Sequence, residues 1–147
     1  MTLPYASATS GKGAMTETQR ILQSFGATSF GYMEDFSDGT LTVQFQWRER
    51  RVTIKANAKG YAQALIREKP YTTRMRVSKA QYEEKAIKQG QIATYSILRD
   101  WIKGQITAVE VGMLSFEGAF LGQILLPSGL TFLELAEEKQ LLALPKD

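Results

Sequence analysis

The chain has 147 residues, 44% of them hydrophobic, with 18 basic and 15 acidic side chains, no cysteine and no histidine. That length supports one hydrophobic core and a single domain over residues 1–147. Without cysteine there is no disulfide framework and no thiolate metal site; without histidine the commonest general base, the His-containing triads and the His-based zinc sites are excluded, leaving carboxylates, Lys, Tyr, Ser and Thr for any chemistry.

The opening residues are small and polar and offer no apolar face, so residues 1–13 are expected to form a flexible arm. Residues 1–15 lack a basic start followed by an apolar stretch, and no later run reaches a membrane span, so the expected location is cytoplasmic. Ser10-Gly11-Lys12-Gly13 carries part of a phosphate-loop pattern but lacks the upstream glycine and the hydroxyl after the lysine. Thr16 and Gln19 have capping-box spacing and open a short helix, with Ile21, Leu22 and Phe25 on one stripe and Gly26 as its stop. The period then changes to two. A strand from Ser29 to Phe36 is followed by the turn Ser37-Asp38-Gly39. Leu41, Val43, Phe45 and Trp47 alternate with Thr42, Gln44, Gln46 and Arg48, and after a tight turn near Glu49-Arg50, Val52, Ile54 and Ala56 alternate with Arg51, Thr53, Lys55 and Asn57. The result is a three-stranded antiparallel meander with one apolar and one polar, cationic face. Phe45 and Trp47 belong to the apolar face.

Asn57 is placed to cap a helix over residues 58–69, with Ala58, Tyr61, Ala62 and Leu65 on one face and Pro70 as its stop. That helix is expected to cover the apolar face of the meander. After a linker, Tyr71 to Val77, Ser78 and Gln81 make a second capping box that opens a long helix in the region 79–112. Its broad apolar stripe, from Ile87 to Val109, must be buried against something, and self-association through it is one solution. Gly90 and Gly104 within it each cost about 1 kcal/mol relative to Ala and suggest bends or close helix contacts. Ser115 begins a short helix with Phe116, Phe120 and Leu121 inward, and Pro127-Ser128-Gly129 turns into a last helix or strand over 130–142. The fold class is therefore α+β: a short helix, a three-stranded meander with a covering helix, and a mainly helical C-terminal half.

Twelve of the 18 bases fall between Arg48 and Lys88 against four acids, a local charge of +8, while the remaining residues sum to −5. Such asymmetry attracts a polyanion. Arg48, Arg51, Lys55 and Asn57 share the polar strand face; Lys59 and Gly60 follow at a helix start, where free N–H groups and close approach suit a phosphate. The linker adds Tyr71, Arg74 and Arg76, with Lys79 just beyond, so cations and an aromatic ring can meet a nucleic-acid strand together. The same residues also suit a solvated face over an apolar layer, or an acidic protein partner. Lys85 and Lys88, interleaved with Glu83 and Glu84, read as solvation of the long helix. Glu34, Asp35 and Asp38 form an acidic group that can hold a hard divalent cation or serve turn chemistry. No metal ligand set, catalytic residue or cofactor site is assigned. Asp100, Trp101 and Lys103 interrupt the long stripe without a titratable cluster around them.

The segment SILRDWIKGQITAVEVGMLSFEGAF (96–120), with Leu126-Pro127-Ser128-Gly129, YASATSG (5–11) and KANAKGY (55–61), resembles a family of small proteins of tailed bacteriophages and prophages. The resemblance covers most of the chain and implies a phage setting, with no site residues to carry over. A phage setting implies two classes of function, handling of nucleic acid and binding a host factor to disable it; with the basic window the first becomes non-catalytic binding of DNA or RNA with little sequence specificity, and the alternative is an inhibitor that binds or sequesters a host protein or a small anionic ligand. The basic window favours the first.

Overall fold

The computed structural model describes residues 3–146. Its elements run α1 (Gly11–Phe25), β1 (Ser29–Asp35), β2 (Thr40–Trp47), β3 (Arg50–Asn57), α2 (Lys59–Glu68), α3 (Lys79–Glu110), α4 (Phe116–Phe120), a single 3₁₀ turn (Leu121–Gln123) and α5 (Phe132–Glu138). The α+β class and the antiparallel meander stand as expected. Strand order is β1-β2-β3, with Tyr32 opposite Val43 and Val43 opposite Ile54, so one face collects the apolar residues and the other Thr42, Gln44, Arg51, Thr53 and Lys55. Among the described residues no helix is long and apolar enough to cross a membrane.

The first helix starts earlier than Thr16. Ser10 is its cap, accepting a hydrogen bond from the Gly13 N–H at 2.9 Å, and Thr16 lies inside the helix, donating to Lys12 O. Gly11 and Gly13 read as breakers, yet they occupy the first turn, where the N–H groups have no helical partners to lose. Gly11 is also needed there: a Cβ on it would sit 2.5 Å from the Tyr95 ring. The phosphate-loop fragment is thus a helix start.

The apolar face of the sheet is covered by α1 and α3. Met15 and Leu22 from α1, Leu98, Ile102 and Ile106 from α3, and Phe116 and Phe120 from α4 close over Leu41, Val43, Phe45, Val52 and Ile54. Each large side chain fully buried there contributes about 1.5–3 kcal/mol. The expectation that residues 58–69 cover the sheet is corrected: α2 packs on α3 instead. Its stripe is small, Ala58 and Ala62, and fits the notch left by Gly90, whereas the sheet needs the larger side chains of α1 and α3. The long stripe of α3 is buried within its own chain at Tyr95, Leu98, Ile102 and Ile106, leaving Ile87, Ile97 and Trp101 partly exposed, with Trp101 edge-on to Phe120 at 5.7 Å. The oligomer reading of the 79–112 stripe loses its driving force at the positions that are covered.

In the C-terminal half, Ser115 caps α4 as expected, but Leu121 stays half-exposed while Phe116 and Phe120 turn inward. Beyond it the chain returns to the sheet: Ile124 bridges to Val52, and the Leu125 N–H donates to Arg51 O at 2.8 Å. The Pro127-Ser128-Gly129 turn, with Gly129 at φ 91°, sends it back to Thr131, which pairs with Leu125 and opens α5 through a capping box with Glu134.

Residues 1–13 do not form a flexible arm within the described part. Leu3 N–H donates to Glu68 Oε2 at 3.2 Å, Tyr61 OH donates to Pro4 O, and Gln89 Nε2 donates to both Ala6 O and Ala8 O, at 3.1 and 3.0 Å. Tyr5 OH reaches Asp100 Oδ2 at 2.6 Å. An unpatterned segment can still be held wherever its backbone carbonyls find side-chain donors. It becomes a strap across α2 and α3.

Candidate nucleic-acid interface

The basic window divides into two groups. The first lies on the polar strand face and its hairpin. Arg48 takes the left-handed backbone, φ 54°, in the two-residue turn between β2 and β3, and its guanidinium lies 4.2 Å over the Trp47 ring. Trp47 itself stacks on Phe25 and Phe116, at 5.1 and 4.5 Å. Arg51 donates to Gln46 Oε1 at 3.3 Å, and among the described residues neither Arg48 nor Arg51 forms an ion pair. Lys55 is different: its Nζ is 3.0 Å from Glu134 Oε2, and Arg50 meets Glu117 at 3.2 Å. The Thr131 backbone N–H, and after it Lys55, hold the Glu134 carboxyl below its ordinary range.

The helix start at Lys59 and Gly60 is a poorer phosphate seat than its sequence suggests. Asn57 Oδ1 already accepts the Lys59 N–H at 2.8 Å while its Nδ2 donates to Asp38 O at 3.0 Å, and the Ala58 N–H is taken by Gly39 O. Asn57 therefore caps α2 from one position before the cap residue, Ala58. Its side chain ties the β1–β2 turn to the start of α2.

The second group sits at the tip of a helical arm. α2 runs antiparallel to the first third of α3, with Gly90 against Ala58 and Ala62 at one end and Tyr82 OH donating to Lys69 O at the other. No α3 residue before Gly90 is buried, and the core draws on α3 only from Tyr95 onward, so this pair extends past the sheet. At 1.5 Å per residue, α2 holds its two ends about 15 Å apart, with Lys59 beside the sheet and the linker at the far end. A further span of about 20 Å along β3 separates Asn57 from Arg51. The ten residues singled out from the sequence thus do not converge on one patch.

At the tip, Arg74, Arg76 and Lys79 are exposed and form no ion pair among the described residues. Arg67 and Lys69, absent from the sequence-based set, stand with them under the same conditions. Their signal was available: both precede Pro70 at the C-terminal end of α2, where cations complement the helix dipole. At the start of α3 the logic reverses. That helix has no acid in its first turn, and Arg76 and Lys79 crowd its positive end, an arrangement that an incoming anion relieves. Glu68 is the one acid of the segment 67–79, and its carboxylate accepts the Leu3 N–H. Tyr71 is not free to stack on a base by its hydroxyl edge: the OH donates to Val77 O at 2.9 Å and the ring tilts against Tyr82 at 5.7 Å. It braces the linker that carries the cations. Lys88 pairs loosely with Glu84, one turn earlier on α3.

The acidic group does not assemble. Glu34 points to the helix side and accepts from Tyr95 OH, a hydroxyl that burial and this carboxylate push well above its ordinary pKa. Asp35 Oδ1 accepts from the Ser37 hydroxyl and N–H, which hold it below the usual carboxylate range, and Asp38 Oδ1 accepts the Thr40 N–H. These two acids serve their turn. Among the described residues no three His, Cys, Asp or Glu side chains converge as metal ligands.

No family model matches this sequence, and no curated protein or solved structure matches it either.

Proposed function

We propose that this chain is a non-catalytic phage accessory protein that binds nucleic acid through its phosphate backbone, with the tip of the α2–α3 arm as the main contact. One observation carries the reading: Arg67, Lys69, Arg74, Arg76 and Lys79 are gathered within thirteen residues, exposed, and unpaired among the described residues. A protein using long cations only to keep a face solvated commonly pairs them along the helix, as Lys88 does with Glu84. Arg48 and Arg51 on the hairpin supply a secondary contact for a strand long enough to reach both. No base-edge reader is needed, so sequence preference is expected to be weak.

Fluorescence anisotropy with labelled single-stranded DNA, duplex DNA and RNA at two salt concentrations tests the proposal. If the five tip cations each release one counterion, log K against log salt has a slope of about −4.5 on duplex DNA and about −3.5 on a single strand. Affinity for duplex then falls about 500-fold between 50 and 200 mM salt. No binding at the lower salt sinks the reading. A host protein retained on the immobilised chain after nuclease treatment, with no nucleic-acid binding, reassigns the surface to inhibition.

A further inference from the structure

The two edges of the sheet are treated differently. β3 is closed by Ile124 and Leu125, whereas β1 has no neighbour on its outer side among the described residues. Alternation in an antiparallel ladder identifies the groups left over. The two-residue turn makes Trp47 and Arg50 a hydrogen-bonded pair, so the backbone of Gln46, Gln44 and Thr42 faces β1, and their partners Ser29, Gly31 and Met33 face β2. The Leu125 bond to Arg51 O, on the far edge, has the parity this requires. Phe30, Tyr32 and Glu34 therefore turn their N–H and C=O groups outward. Sheet edges are ordinarily blunted by Lys, Pro or a bulge, and β1, SFGYMED, has no Lys or Pro, with Tyr32 at 45% and Met33 at 66% exposure.

We propose that β1 pairs antiparallel with β1 of a second copy of this chain about a two-fold axis at Tyr32, giving one sheet of order β3-β2-β1-β1-β2-β3. This is the register that pairs all three outward residues of both strands: Phe30 with Glu34, Tyr32 with Tyr32, and Glu34 with Phe30, for roughly six hydrogen bonds. Side chains agree with it. Met33 of one copy stands directly across from Gly31 of the other, on the open face, where a Cβ on Gly31 would meet nothing within 4 Å. Asp35 stands across from Ser29, so the acids of the two strands lie at opposite ends, whereas parallel pairing would stack Glu34 and Asp35 on their own copies. Any extended peptide meets the same backbone groups, but the match of Met33 to Gly31 and the placing of the acids at opposite ends belong to this strand against itself.

The absence of cysteine makes the test free of background. Gly31→Cys and Met33→Cys are prepared separately, mixed and oxidised, while the unsubstituted protein is followed by sedimentation velocity over a concentration series. Expected are a concentration-dependent doubling of mass, and covalent dimers in the mixture that neither variant forms alone. A monomer at every concentration overturns the proposal, and so does cross-linking of either variant alone to the yield of the mixture.

Discussion

Two glycines in the same helix should respond to alanine with opposite signs. A Cβ at Gly90 would lie 2.7 Å from Ala58 O, 3.2 Å from Ala62 N and 3.4 Å from Ala62 Cβ. The first two neighbours are backbone, so no side chain can rotate away and α2 must retreat as a unit. Overpacking of this kind costs about 1–3 kcal/mol, and replacing glycine by alanine inside a helix returns about 1 kcal/mol. Gly90→Ala is therefore expected to destabilise the protein by about 1 kcal/mol, lowering Tm by about 3 °C for a chain of this size. At Gly104 an added Cβ meets nothing within 4 Å, so only the propensity gain remains and Gly104→Ala should stabilise by about 1 kcal/mol. Urea denaturation of both variants measures the difference, and amide exchange should quicken in α2 for Gly90→Ala alone. Equal stabilisation by the two substitutions would refute the close approach of α2 to α3, and with it the arm.

Two further outcomes follow from the charges. In Arg74→Ala/Arg76→Ala, the slope of log K against log salt on duplex DNA should flatten by about 1.8, with affinity near 0.1 M salt falling about 60-fold, whereas Lys55→Ala, whose partner is Glu134, should leave the slope unchanged. An equal effect of Lys55→Ala in the same anisotropy titration moves the interface to the strand face. Acid stability is set by Asp100, whose pKa is depressed by the hydrogen bond from Arg99 and next by that from Tyr5, together with Asp35, Glu117 and Glu134. A depressed folded-state pKa contributes stability that is complete above the ordinary carboxylate range, about 4, and is lost as pH falls through the lower folded value. Thermal melts should show Tm falling below about pH 4, less steeply in Asp100→Asn, and nearly level from about pH 5 to 8 because the chain has no histidine.

The sheet was legible because its strands alternate strictly and its turns are short; residues 41–47 and 52–56 carry their own face assignment. Ser78 with Gln81 was legible for the same local reason, and the structure makes both halves of that capping box. What escaped depends on partners distant in sequence. Gly11 looks like a breaker until the Tyr95 ring occupies the place of its side chain. The stripe of α2 is correct as a stripe, but only the size of its residues, Ala58 and Ala62, distinguishes a helix that sits in a notch from one that covers a sheet. Of the candidate site, the charge asymmetry was visible, while its division into a partly paired strand face and an unpaired tip was not. That division depends on Glu134, 79 residues from Lys55, and on an antiparallel helix pair that periodicity alone does not reveal.

The strap has a consequence for the order in which the chain acquires its structure. Residues 3–8 leave the ribosome before the groups that hold them, which lie at Tyr61, Glu68, Gln89 and Asp100. At 5–20 residues per second, Asp100 follows Tyr5 by roughly 5 to 20 s, far longer than a helix or hairpin needs to form. During that interval the meander and α2 can assemble while the strap waits for Gln89 and Asp100. Its set of contacts can therefore be completed only after α2 and α3 as far as Asp100 have been made.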